Sequence, residues 1–141
     1  MGSILKPYYL CITSGLFSIA LIIYFFSSDK NLEKNILAFF LCLCLLFSQL
    51  FWYNPIKDSF IHKMDARVAK LNAFLMIMYT LFYKKLPYFV LFLYLLLGLL
   101  SMCAFYKSDY YSNKEWCCDE HLFNHSLIHV AALFALLYVF L

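Results

Sequence analysis

The chain has 141 residues, of which 65% are apolar, 21% aromatic and only 13% charged, and it carries a formal net charge of +3. A water-soluble fold of this length has too little interior to hide that much apolar side chain, so the surplus faces lipid and a soluble domain is excluded. The eleven basic and eight acidic residues gather near the ends of apolar segments and form no basic tract of the kind a phosphate backbone demands, which argues against nucleic acid as a partner.

The pattern predicts an all-α, polytopic membrane helix bundle, a single domain over 1–141 with about five transmembrane helices and short loops. The spans fall at about 8–26, 35–53, 66–84, 87–106 and 122–141. Each supplies the roughly 20 residues that a rise of about 1.5 Å per residue needs to cross about 30 Å of hydrocarbon. The first begins after Met1-Gly2-Ser3-Ile4-Leu5-Lys6 and ends in Ser27, Ser28 and Asp29, without a small-residue cleavage pattern, so it reads as a retained span and not a leader. Lys6 stands where a myristoylation signal needs Ser or Thr.

The first connection, 27–34, is short enough to force a hairpin, and Asn31 or Asp29 is placed to cap the helix that follows. Asn54-Pro55 breaks the second helix, because proline removes a donor and disfavours helical geometry in its predecessor. A short interfacial helix is expected over 55–64, with Ile56, Phe60 and Met64 on one side. Arg67 and Lys70 intrude into the first turns of the third span and must snorkel toward headgroups. Lys84, Lys85 and Pro87 mark a tight third turn, and 107–120 is the largest polar segment. Lys6, Lys57, Lys63, Arg67, Lys70, Lys107 and Lys114 share one side of the membrane, against Lys30, Lys34, Lys84 and Lys85 on the other, which predicts a cytoplasmic N-terminus.

Of the six cysteines, Cys11, Cys42, Cys44 and Cys103 lie in or beside apolar segments and read as packing residues. Cys117 and Cys118 lie in the last loop, where they suit either a thiolate-imidazole metal site with His121 and His125 or palmitoylation. Small residues that would mark a tight transmembrane dimer seam are scarce.

Helix parity brings the end of span two, the start of span three, the end of span four and the start of span five to one membrane face. That face collects Ser48, Trp52, Asp65, His121, His125 and His129. The three histidines are spaced i, i+4, i+8 and line one stripe of the last helix. A pair at that spacing can present two nitrogens to one zinc, or the rings can hydrogen-bond across helices. Asp65 suits either a helix N-terminus or a water-orienting base, and Ser48 either bonds back to its own helix or steadies an oxyanion.

These residues resemble a family. Ser48 and Trp52 in a Ser-x3-x pattern late in the second span, Asp65 at the mouth of the third, and His125-x3-His129 in the last are similar to the integral-membrane hydrolase superfamily of alkaline ceramidases and progestin/adiponectin receptors. The resemblance implies a zinc site near one face and hydrolysis of a lipid amide. Zinc would sit on His125 and His129 with His121 or His62 as a further ligand, and Asp65 and Ser48 would be the catalytic pair. Trp52 departs from the family, since it stands where a zinc-ligating histidine is expected, and so does the count of five spans against seven. The missing ligand favours a small non-catalytic subunit or accessory component of a larger membrane assembly, in contact with lipids and other membrane subunits. A zinc-dependent membrane hydrolase is the alternative.

Overall fold

The computed structural model describes residues 5–141, and every regular element among them is a helix. The N-terminal residues 1–4, which bear on the acylation signal, lie outside them. In chain order the helices are α1 (Tyr9–Gly15), α2 (Phe17–Phe26), α3 (Leu32–Tyr53), α4 (Phe60–Phe82), α5 (Tyr88–Lys114) and α6 (Asp119–Phe140). The first predicted span is thus α1 and α2 in succession, and the other four predicted spans are α3 to α6.

The break inside the first span has a local cause. The hydroxyls of Thr13, Ser14 and Ser18 each donate to the carbonyl three residues back, at 3.3, 3.3 and 2.7 Å. They compete with the backbone ladder, and the chain answers with tightened bonds from Leu16 N–H to Thr13 O at 3.3 Å and from Ile19 N–H to Leu16 O at 3.0 Å. Across this break Gln49 of α3 reaches over, donating to Cys11 O at 2.7 Å and to Ser14 Oγ at 2.9 Å. Its amide is thereby satisfied at a depth where lipid offers no partner.

Four segments, Tyr9–Phe26 and the helices α3, α5 and α6, are long and apolar enough to cross a membrane. The 23-residue α4 pairs with α3 as a hairpin but carries Lys63, Asp65, Arg67 and Lys70 in its first turns. The chain is an integral, multi-pass membrane bundle.

Two boundaries differ from the sequence expectation. No separate interfacial helix occupies 55–64. Ser59 caps α4 by accepting the His62 N–H at 3.1 Å, so the helix starts at Phe60 and runs unbroken through the predicted third span. The fourth span continues to Lys114 because Ala104, Ser108 and Ser112, spaced i, i+4, i+8, are buried along it where it packs on α6. Small side chains let two backbones approach closely within the chain.

The remaining helices enclose a core whose largest part joins Phe17 and Leu21 of α2, Leu37 and Leu41 of α3, and Leu136 and Phe140 of α6. Lipid tails are as apolar as leucine, so these contacts stabilise mainly through close packing, and polar contacts weigh more heavily in fixing helix positions. At the face formed by the first hairpin, Asn31 caps α3 by accepting the Lys34 N–H at 2.8 Å. Asp29 instead forms a 2.8 Å ion pair with the buried Lys34 ammonium. Lys84 donates to Tyr138 O at 2.6 Å, which satisfies a carbonyl at the end of α6.

Candidate functional site

The predicted polar face is built from two short turns, 54–59 before α4 and 115–118 before α6. They carry the same device. Asp58 and Cys117 each sit one residue ahead of a helix cap with φ of 61°, a left-handed conformation that costs a non-glycine residue roughly 1–3 kcal/mol. Each turns its N–H onto an imidazole four residues ahead: Asp58 to His62 Nδ1 at 2.9 Å, and Cys117 to His121 Nδ1 at 3.2 Å. An Nδ1 that accepts from a backbone N–H belongs to a neutral ring protonated at Nε2.

Trp116 joins the two turns. Its indole N–H donates to Pro55 O at 3.1 Å, and its ring lies 5.3 Å from His62 and 4.9 Å from His121. Lys57 donates to Ser112 O at 3.0 Å while lying 5.5 Å from the Trp116 ring centroid. The backbone N–H of Leu5 reaches Asp119 Oδ1 at 2.7 Å. Loops before α4 and α6, the end of α5 and the N-terminal segment are therefore clasped together.

Beneath the clasp the rings form a connected layer. Phe51 stacks on His62 at 4.6 Å, and Trp52 meets His125 edge-on at 4.9 Å. His125 in turn stands edge-on to His129 at 5.0 Å. His125 Nδ1 bonds Ser108 Oγ of α5 at 3.2 Å, and His129 Nδ1 bonds Thr13 Oγ1 of α1 at 2.8 Å. Trp52 is 1% exposed and Ser48 2%, and neither the indole N–H nor the serine hydroxyl has a partner among the described residues.

The structure brings Trp52, His121, His125 and His129 into one chain of ring contacts, with His62 linked through Trp116. Ser48 lies one turn from Trp52 on the same buried stripe of α3. Asp65 is buried in α4, and no hydrogen bond joins it to a histidine among the described residues.

Among the described residues no group of three or more His, Cys, Asp or Glu side chains is placed to hold a metal ion. The rings explain this: His62 and His121 have committed Nδ1 to backbone and carry a proton on Nε2, and a metal ligand must be a bare nitrogen. The histidine stripe also meets edge to face instead of converging. Burial pushes the Cys117 thiol up to about 11, with the neighbouring Cys118 adding to the shift.

Three partners in this layer escaped the sequence analysis: Thr13, Ser108 and Trp116. Thr13 lies at the same face by the parity that placed the histidines, so a hydroxyl early in the first span was the available signal. No family model, curated protein or solved structure matches this chain.

Proposed function

We propose that this protein is a small non-catalytic subunit or accessory component of a larger membrane assembly. The observation that carries this reading is the position of α5. This 27-residue helix buries only Ala104, Ser108 and Ser112 and packs chiefly on α6, so most of its surface is left uncovered by the other helices. Between α4 and α5 a groove of about 110 Å³ is floored by Ala131, Ala132 and Ala135 of α6 and flanked by Gly98 and Ser101. Small residues of this kind admit a further transmembrane helix closely. The polar layer supports the same reading, because its imidazoles are spent on holding turns and helices in register.

The test is photo-crosslinking from Gly98 and Leu99 in native membranes, followed by purification in a mild detergent. A partner of constant stoichiometry crosslinked from the groove position and lost on Gly98→Leu is the expected result. Crosslinks to lipid alone, with a protein that purifies as an isolated monomer, would overturn the proposal.

A zinc-dependent hydrolase of a lipid amide, related to the ceramidase superfamily, is the second reading. Its favouring observation is that His125 and His129 lie in one buried layer of the bundle with the Ser48 stripe. Asp65 and Ser48 would be the catalytic pair, with zinc on His125 and His129.

A further inference from the structure

We infer that a groove along the α5–α6 seam holds one acyl chain of an anionic phospholipid, whose phosphate sits on the Lys107 ammonium. The inference stands apart from the subunit reading, which seats a protein helix at Gly98 and Ser101.

The groove has a volume of about 370 Å³, within the range of about 300–1,000 Å³ typical of ligand clefts. Leu97, Leu100 and Lys107 line it from α5, and Asn124, Ala131 and Phe134 from α6. The two helices are joined by the short turn at 115–118 and run antiparallel, and the 3.2 Å contact between Ser108 Oγ and His125 Nδ1 fixes their register. Lys107 and Asn124 therefore stand together at one end of the groove, with Leu97 and Phe134 at the other.

The depth of these ends follows from the helix rise. From Tyr88 to Lys107, α5 climbs about 30 Å at about 1.5 Å per residue, the thickness of the hydrocarbon core. Lys107 thus lies at the headgroup level, beside the exposed Tyr106 and Tyr110, residues of the type that collects there. From Lys107 back to Leu97 the groove runs about 15 Å, half of the core and so the share of one leaflet. A track that opens at the headgroups and stops at the midplane fits a lipid tail. A transmembrane helix needs a track through both leaflets.

Charge completes the match. Lys107 is exposed, and no acceptor, carboxylate or ring holds its ammonium among the described residues. Neighbouring bases are engaged: Lys57 donates to Ser112 O at 3.0 Å, and Lys114 lies 4.3 Å from the Tyr110 ring centroid. Among the described residues no acidic side chain lines the groove. A free ammonium at the mouth of an apolar slot is complementary to a phosphate joined to a hydrocarbon tail. An anionic headgroup suits it better than a zwitterionic one, because the latter carries its own cation to compete for the phosphate.

The test places the purified chain in phosphatidylcholine nanodiscs with a small, equal fraction of a phosphatidylglycerol or a phosphatidylcholine probe. Each probe carries a diazirine midway along one acyl chain, and insertion sites are mapped by mass spectrometry. Insertion should concentrate between Leu97 and Lys107 and between Asn124 and Phe134. It should be about fivefold greater from the anionic probe, the preference that one lysine near an anionic headgroup supplies. Lys107→Gln should abolish the preference and keep the labelling, while Ala131→Phe should lower labelling from both probes. Labelling no denser than at the exposed Phe39 and Leu46 of α3 overturns the proposal, as does equal labelling by the two probes or a preference that survives Lys107→Gln. A groove closed to both probes by a second copy, with the protein running as a dimer, overturns it too. Circular dichroism reports whether each variant has kept its helices, and the exposed Lys107 makes Lys107→Gln decisive should Ala131→Phe fail to fold.

Discussion

Thr13 Oγ1 and His129 Nδ1 lie 2.8 Å apart although 116 residues separate them in sequence. This contact ties the broken first span to the middle of the last helix, inside a layer of rings. Thr13→Val keeps the shape and removes the hydroxyl, leaving His129 Nδ1 buried without its partner, which costs about 1–3 kcal/mol. Unfolding by SDS titration in mixed micelles should show a loss in that range. Thr13→Ser should recover most of it, and an unchanged midpoint for Thr13→Val would remove this contact from the account of how α1 and α6 are held.

Trp116 should control the turns more than the helices. Trp116→Phe retains the ring but deletes the bond to Pro55 O, a loss of about 1 kcal/mol. Amide hydrogen exchange should quicken over 54–59 and 115–118 and stay unchanged in α2 and in the second half of α3. Equal quickening throughout the bundle would mean that the clasp is part of the global core.

The two left-handed residues give a paired prediction. Asp58→Gly and Cys117→Gly relieve a conformation costing roughly 1–3 kcal/mol in a non-glycine residue, while the N–H that each donates to an imidazole remains. Both variants should be as stable as the parent or slightly more so in thermal unfolding. Both should keep the Nε2-protonated tautomer of His62 and His121 by 15N NMR. Destabilisation beyond about 1 kcal/mol would show that the side chains of Asp58 and Cys117 matter more than their backbone, since relief of strain by glycine is the opposite sign.

At the other face, the hydrogen bond and charge of Lys34 hold the Asp29 carboxyl below the ordinary 3.8. A depressed folded value means that the ionised pair stabilises the fold above the unfolded carboxylate pKa and that this contribution is lost as pH falls through the folded one. Asp29→Asn should therefore flatten the acid limb of the stability profile and leave its shape near neutrality unaltered. An identical acid limb in parent and variant would show that Asp29 does not contribute.

Metal content separates the two functional readings. Protein purified without chelator and dialysed against buffered zinc should carry well under one equivalent. Near-stoichiometric zinc that is lost on His125→Ala with His129→Ala would establish the hydrolase reading in place of the subunit reading.

The bundle itself was legible in the chain. Runs of about 20 apolar residues admit only helices in lipid, since every backbone donor must be satisfied within its own segment. The breaks at Asn54-Pro55 and near Pro87 are local chemistry, and so is the cap at Asn31. Parity alone placed Trp52, His121, His125 and His129 at one face, and the structure joins their rings there. What sequence could not decide was which nitrogen of each imidazole is engaged and by whom. Ser108 and Thr13 reach His125 and His129 from helices 17 and 116 residues away, and the N–H groups that bind His62 and His121 depend on a positive φ that neither Asp58 nor Cys117 announces. The extension of α5 to Lys114 was equally hidden, because its Ser-, Tyr- and Asn-rich end reads as loop until packing on α6 buries Ala104, Ser108 and Ser112. Hydropathy is a property of the segment and survives reading in one dimension, whereas hydrogen-bond partnership depends on distances that exist only after the helices have packed.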